Sequence, residues 1–171
     1  MRYAIVGFGT AGYHAAKAIR AGDPAGQLHV YGDTGLAPYH PMLTTYYVYG
    51  KLDRKGLFPF GELAQLQEQL GFTYHHERVI KVHAQERTVE TASGTEPYDR
   101  ILVATGATAF APPVKGLEPE DSFLMRTVED AQRLKDRLDR GDVKTAVVVG
   151  ASMAGIKVVE VLAKYGVRVV L

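Results

Sequence analysis

One local pattern occurs twice in this chain and limits the folds open to it. Residues 3–12, YAIVGFGTAG, and residues 146–155, AVVVGASMAG, each set an apolar run before a glycine-rich turn and a helix-forming stretch. With the segments that follow, strand, turn, helix and strand occur at 3–33 and again at 146–171. Short apolar strands alternating with helices build a parallel sheet with helices on its faces, so an α/β, Rossmann-like fold is expected.

In the first turn Gly7, Gly9 and Gly12 have the G-x-G-x-x-G spacing. Gly7 permits a tight bend, Gly9 lets the backbone approach a pyrophosphate, and Gly12 allows close helix–strand packing. The first N–H groups of the helix lack intrahelical acceptors and face the anion, and the helix dipole favours it. Asp33 follows Gly12 by 21 residues, at the end of the second strand, where a carboxylate can accept from ribose hydroxyls. The second turn reads Gly150, Ser152, Gly155, and serine is small enough to keep the same approach open. The competing readings are an ordinary glycine turn at the first position and a packing turn without a ligand at the second. Two such units imply two nucleotide sites.

Composition narrows the other chemistries. A formal net charge of +1 over 171 residues speaks against a nucleic-acid or membrane-surface binder, which would show a basic stripe. The dense charge run RLKDRLDRGD alternates in sign, as a solvated helix face does. With no cysteine there is no disulfide framework, thiolate nucleophile or zinc–thiolate site. No apolar run approaches the roughly 20 residues that span a bilayer. A soluble, cytoplasmic protein with no nucleic-acid, membrane or metal partner is expected.

Between the two turns, QLHVYG supplies a second strand, MLTTYYVYGK a short helix and KLDRKGLFP a loop. Leu63, Leu66 and Leu70 share one face of a helix that Gly71 closes. FTYHH, RVIKVHA and TVETA are short and separated by polar turns, and are expected to form an antiparallel meander inserted into the parallel fold. DRILVATG reads as a buried parallel strand, and APPVKGLEPED as a linker. Thr127 is expected to cap a helix whose Val128, Ala131, Leu134 and Leu138 face inward. Val147 to Val149 read as a buried strand, and Val167 to Leu171 as the start of an exposed edge strand.

YDRILVATGATAFAPP at 98–113, lying between the two turns, resembles the pattern of the pyridine nucleotide–disulfide oxidoreductase family. PYHPMLTTYYVYGK is similar to the flavin-side segment of its NADH oxidase, rubredoxin reductase and ferredoxin reductase branch. The resemblance implies an FAD-binding domain over 1–112 and the start of an NAD(P)-binding domain over 113–171. It implies FAD on Gly7, Gly9, Gly12 and Asp33, with the Val79 backbone at the adenine and Ala104, Thr105 and Gly106 along the cofactor. NADH or NADPH would go to Gly150, Ser152 and Gly155. The implied activity is hydride transfer from NAD(P)H to FAD and on to an unidentified electron acceptor, with a homo-oligomer possible. The resemblance also implies that these residues are the leading part of such an enzyme, inactive on their own and with weak FAD retention in isolation. The alternative is a non-catalytic nucleotide-binding module or one subunit of a split reductase.

Two departures from the family pattern bear on chemistry. Met42 stands where some relatives carry a redox cysteine, and the Arg-Pro of others is also missing, leaving His40 as a donor or as an exposed turn residue. Lys157 stands where relatives carry a glutamate near the flavin. A cation there would favour the reduced, anionic flavin and raise its potential, unless the side chain turns to solvent. His75 and His76 are adjacent on a strand-like stretch and point to opposite faces, so a shared metal is not expected. Tyr39, Tyr46, Tyr47 and Tyr49 either pack or lie against the cofactor.

Overall fold

The computed structural model describes residues 1–118 and 121–171, so Pro119 and Glu120 of the expected linker lie outside the described residues. In chain order the elements are β1 (Arg2–Val6), α1 (Thr10–Gly22), β2 (Gln27–Tyr31), α2 (Leu43–Tyr49), a 3-10 turn at Lys55–Leu57, and α3 (Leu63–Leu70). There follow β3 (Phe72–His75), β4 (Val79–His83), β5 (Thr88–Thr91), β6 (Gly94–Pro97), β7 (Arg100–Val103), α4 (Val128–Asp139), β8 (Thr145–Val147), α5 (Met153–Lys164) and β9 (Arg168–Val170). By packing the chain divides into two compact units, Met1–Tyr39 with Phe58–Ala107, and His40–Leu57 with Thr108–Leu171. This division differs from the expected functional boundary between residues 112 and 113.

In the first unit, β3, β2, β1 and β7 form a parallel sheet in that order. Alternate side chains go to opposite faces. Ile5, Leu28, Val30 and Phe72 bury themselves with Ala16 of α1 and Leu66 of α3. Ala4, Val6 and Tyr31 turn the other way and meet Val89 and Tyr98. Both faces of β1 are therefore covered, which is why YAIV reads as a continuous apolar run. At the far end of α1, the Arg20 guanidinium donates to the carbonyls of Leu70, Gly71, Pro24 and Gly26 at 2.7–3.0 Å. It thereby satisfies helix-end acceptors of α3 that would otherwise lack partners.

The meander differs from expectation in membership. Phe72–His75 pairs in parallel with β2 and belongs to the main sheet. The antiparallel sheet is β4-β5-β6, with GTEP at Gly94–Pro97 as its third strand. Gly94, at φ 135°, opens that strand directly after the turn that follows Thr91. The strand DRILV is not buried: Leu102 is 41% and Val103 58% exposed, because β7 is an edge strand of its sheet.

A polar seam joins the meander side to the sheet. His29 Nδ1 lies 2.9 Å from His75 Nε2, and the Tyr31 and Tyr98 hydroxyls share a 2.6 Å hydrogen bond. The His75 ring stacks on Tyr31 with centroids 4.4 Å apart, and the Arg2 guanidinium sits over Tyr98 while pairing with Glu96 at 2.9 Å. Burial, then the positive charge of Arg2 and the neighbouring His75, hold the His29 imidazole below its ordinary 6.5, against a smaller opposing effect of Glu96. Below pH 6.5 the unfolded chain takes up a proton that folded His29 resists, so this contribution to stability is full above that pH and is lost on acidification. A thermal midpoint measured from pH 7.5 to 5 is expected to fall, and His29→Gln to fall less steeply. Parallel curves for the two proteins would contradict the assignment.

In the second unit, α4 is capped as expected. The Asp130 amide donates to Thr127 Oγ1 at 3.0 Å, and the Thr127 amide donates back to Asp130 Oδ2 at 2.9 Å. Such a reciprocal cap contributes about 1 kcal/mol. Val128, Ala131, Leu134 and Leu138 are all buried. The Tyr47 hydroxyl of α2 donates to Gln132 of α4, and the Tyr165 hydroxyl lies 3.2 Å from the Val48 carbonyl. β8 and β9 make a parallel two-stranded sheet. The expected strand over Val147–Val149 is shifted and open: β8 ends at Val147, and Val147 and Val149 are 69% and 86% exposed. A two-stranded sheet packed by one helix leaves its outward side chains bare.

Among the described residues, no helix is long and apolar enough to cross a membrane.

Candidate functional site

The first glycine turn lies where β1 ends. Gly7 has φ 98°, a conformation open to glycine and strained for any other residue. Its amide donates to the Tyr31 carbonyl at 2.8 Å, while the Val6 carbonyl accepts from the Ala104 amide at 2.7 Å. The turn is thus clamped between the ends of β2 and β7. A methyl group on Gly7 would collide with the Ala104 carbonyl oxygen, and one on Gly12 with the Gly7 carbonyl oxygen. At Gly9 the result is opposite, since nothing lies within 4 Å of the added carbon. Gly9 is also the N-cap of α1 and offers the first amides of the helix no side-chain acceptor. Two glycines are required by the protein's own packing, and the third leaves open space before uncapped N–H groups.

The second turn repeats this geometry. Gly150 has φ 106°, and a methyl on Gly155 would collide with the Gly150 carbonyl oxygen. Its N-cap is Ser152, whose Oγ accepts from the Gly155 amide at a long 3.5 Å. Ser152 is exposed, so the mouth of the turn is open apart from this hydroxyl.

Around the first turn the parallel strands bring several expected residues together. Ala104, Thr105 and Gly106 follow β7 beside Gly7, and the ideal methyl position on Gly7 lies 3.0 Å from Thr105 Cα. Thr105 and Gly106 are exposed, and Gly106 has φ 71°. Asp33 follows β2 and keeps its carboxylate about half exposed, 3.7 Å from Arg78 Nη1. Val79 opens β4, pairs with Thr91 and packs its side chain on the meander-side core.

Apart from Tyr39, the remaining candidates lie in the second unit. Lys157 does not stand alone: its Nζ is 2.9 and 3.1 Å from the Glu160 carboxylate oxygens and 6.0 Å from the Tyr46 ring centre. The hydrogen bond and charge of Glu160 hold the Lys157 ammonium above its ordinary range. Together with Thr45, Tyr49 and Lys51 these groups line a small crevice. His40 is exposed and is not among its lining residues. Of the four tyrosines, Tyr47 is buried, Tyr39 packs edge-on to Phe58, and the Tyr49 ring lies under Lys51 and Lys164 at 4.5 and 4.7 Å. Among the described residues no group of three or more His, Cys, Asp or Glu side chains could hold a metal ion.

Sequence reasoning missed the clasp on the Asp33 loop. Tyr74, His76 and Arg78, at alternate positions, all reach residues 32–35: the Tyr74 hydroxyl lies against Gly32, and His76 Nε2 is 3.2 Å from the Asp33 carbonyl oxygen. The period-two spacing was visible; the partner, over forty positions upstream, was not. It also missed Glu160 as the partner of Lys157.

Two glycine turns, each between the end of a parallel strand and a helix start, define an α/β protein of the Rossmann-like type. Comparison with known proteins agrees. The chain belongs to the pyridine nucleotide-disulphide oxidoreductase family, whose model matches residues 1–171. It is 31% identical over 98% of its length to the NADH-dependent phenylglyoxylate dehydrogenase subunit epsilon of Aromatoleum evansii, covering 39% of that protein. It is 30% identical over 97% of its length to the biphenyl dioxygenase system ferredoxin–NAD(+) reductase component of Paraburkholderia xenovorans, covering 40% of that protein. The water-forming NADH oxidase of Lactobacillus brevis bound to NADH superposes with a TM-score of 0.88 at 25% identity, over 99% of this chain and 38% of that one. The chain thus spans about two-fifths of the length of these relatives. FAD and a nicotinamide dinucleotide are the cofactors of the family.

Proposed function

We propose that this chain binds FAD in its first unit, contributes to an NADH or NADPH site at its second glycine turn, and serves an FAD-dependent NAD(P)H oxidoreductase. The observation that carries this reading is the contrast within the first turn: Gly7 and Gly12 are held against the protein's own carbonyl oxygens, while Gly9 faces open space. A packing turn needs the first two and has no use for the third.

The residues fit the cofactor. Gly7 makes the bend, Gly9 leaves the approach open and Gly12 holds α1 close, so that the first amides of α1 meet the pyrophosphate; Asp33 accepts from the adenosine ribose, the Val79 backbone meets the adenine, and Ala104, Thr105 and Gly106 run along the cofactor. Gly150, Ser152 and Gly155 do the same for the nicotinamide dinucleotide. When bound, the two cofactors supply hydride transfer and onward electron delivery. The functional boundary falls between residues 112 and 113. Lys157 and His40 are the flavin-side candidates, and the Glu160 carboxylate, 2.9 Å from Lys157 Nζ, opposes the charge Lys157 would bring to the ring. With no cysteine in the chain, electrons pass to an acceptor outside these residues.

That acceptor is another protein in our reading, because similar chains include a ferredoxin reductase component and a dehydrogenase subunit. The second of these also supports the reading of one subunit in a multi-subunit reductase. The test is spectroscopic. The enzyme of which these residues form the leading part, purified with FAD, is expected to show flavin absorption bands that bleach when NADH or NADPH is added without oxygen. Bands that persist after the reductant would leave nucleotide binding without catalysis, and failure of that enzyme to take up FAD would overturn the assignment.

A further inference from the structure

We propose that Arg78 is an adenine-recognising residue of the first site, its guanidinium forming a planar lid over the base. This rests on the FAD reading above, and it names a residue that neither the glycine pattern nor the resemblance marks.

Arg78 immediately precedes Val79, the residue placed at the adenine, and its Nη1 lies 3.7 Å from Asp33 Oδ2. It therefore joins the base end of the site to the ribose end. The arginine side chain is 85% exposed and that of Asp33 52%. An ion pair this open contributes little to folding, so stability does not explain it. At 3.7 Å it leaves the Asp33 oxygens free to accept from hydroxyls, while the carboxylate fixes where the guanidinium lies. A guanidinium plane stacks on aromatic faces, and a purine offers one; lysine, with a compact ammonium, provides the charge without the plane. The loop beneath is held independently, by Tyr74 at Gly32 and by the 3.2 Å contact of His76 with the Asp33 carbonyl oxygen. Removing Arg78 thus takes away the lid and leaves its base in place.

The experiment measures dissociation constants of FAD, ADP and FMN for the wild-type protein, Arg78→Ala and Arg78→Lys, with far-UV circular dichroism and thermal midpoint confirming each fold. FMN shares the flavin and lacks adenosine. Arg78→Ala is expected to weaken FAD and ADP about fivefold, equivalent to about 1 kcal/mol. Arg78→Lys should recover only part of that loss, and whatever affinity FMN has should not change. Unchanged FAD and ADP affinities in the folded Arg78→Ala protein overturn the proposal. So does full recovery by lysine, which would assign the effect to charge alone, or a parallel loss for FMN. If the folded wild-type protein binds neither FAD nor ADP, the FAD reading itself has failed, a result distinct from an affinity that ignores residue 78.

Discussion

Gly9→Ala is expected to leave the fold almost untouched and to lower the affinity for FAD at least tenfold. The backbone at Gly9, φ −84° and ψ −164°, is extended and open to alanine, and the new methyl group has no protein atom within 4 Å. Its only folding penalty is that alanine is a poorer N-cap than glycine, about 1 kcal/mol at most. The methyl group instead fills the space through which a pyrophosphate reaches the helix-start amides. Gly12→Ala is the matched control with the opposite cause. Its methyl would meet the Gly7 carbonyl oxygen, forcing α1 away from β1, and overpacking of this kind costs about 1–3 kcal/mol or more. Titration of FAD against thermally verified protein separates the two: one variant folds normally and binds poorly, the other loses both. A Gly9→Ala protein that held FAD as tightly as the wild type would remove the phosphate assignment.

Leu66→Ala is expected to destabilise the first unit by about 2–5 kcal/mol. Leu66 is 1% exposed and is the only residue of α3 that is fully buried, packed among Ile5, Ala16, Leu28, Val30 and Phe72. The alanine leaves a cavity walled by β1, β2, β3 and α1, elements that also set the glycine turn. Domains of ordinary size are stable by about 5–15 kcal/mol, so a large share would be lost. Urea denaturation should show a lower midpoint with an unchanged slope. Saturating FAD should recover part of it by mass action. Leu63→Ala, at a partly exposed position of the same helix, should lose much less. A loss below about 1 kcal/mol for Leu66→Ala would mean that α3 does not anchor this core.

What the sequence revealed was local in origin. The glycine turns, the Thr127 cap, the Gly71 helix stop and the inward face of α4 are specified by neighbours within a few positions, and all are present in the structure. Pairing partners were harder to read. FTYH and RVIKVH look alike as strands, yet Phe72–His75 joins β2 in parallel while Val79–His83 joins β5 in antiparallel. GTEP has the composition of a turn and becomes a strand only because β5 is there to pair with it. Burial was misread for the same reason: Leu102, Val103, Val147 and Val149 are apolar, but whether an apolar residue is covered depends on which elements lie opposite. In the site, the Gly7–Ala104 and Asp33–Arg78 approaches join residues far apart in the chain, and no local pattern announces either.

The alternation Phe72, Tyr74, His76, Arg78 has a mechanical consequence. Phe72 is wedged against Phe8 in the interior with ring centres 4.9 Å apart, β3 ends at His75, and after a bend at Glu77 the chain brings Arg78 to 3.7 Å from Asp33. β3 is paired along its whole length with β2, so the start of this segment is tied to the main sheet, and Tyr74, His76 and Arg78 carry that anchorage to residues 32–35. The loop after β2 therefore borrows rigidity from the interior and holds its shape before any nucleotide arrives. An incoming ligand meets a preorganised surface and forgoes the entropy penalty of ordering a floppy one.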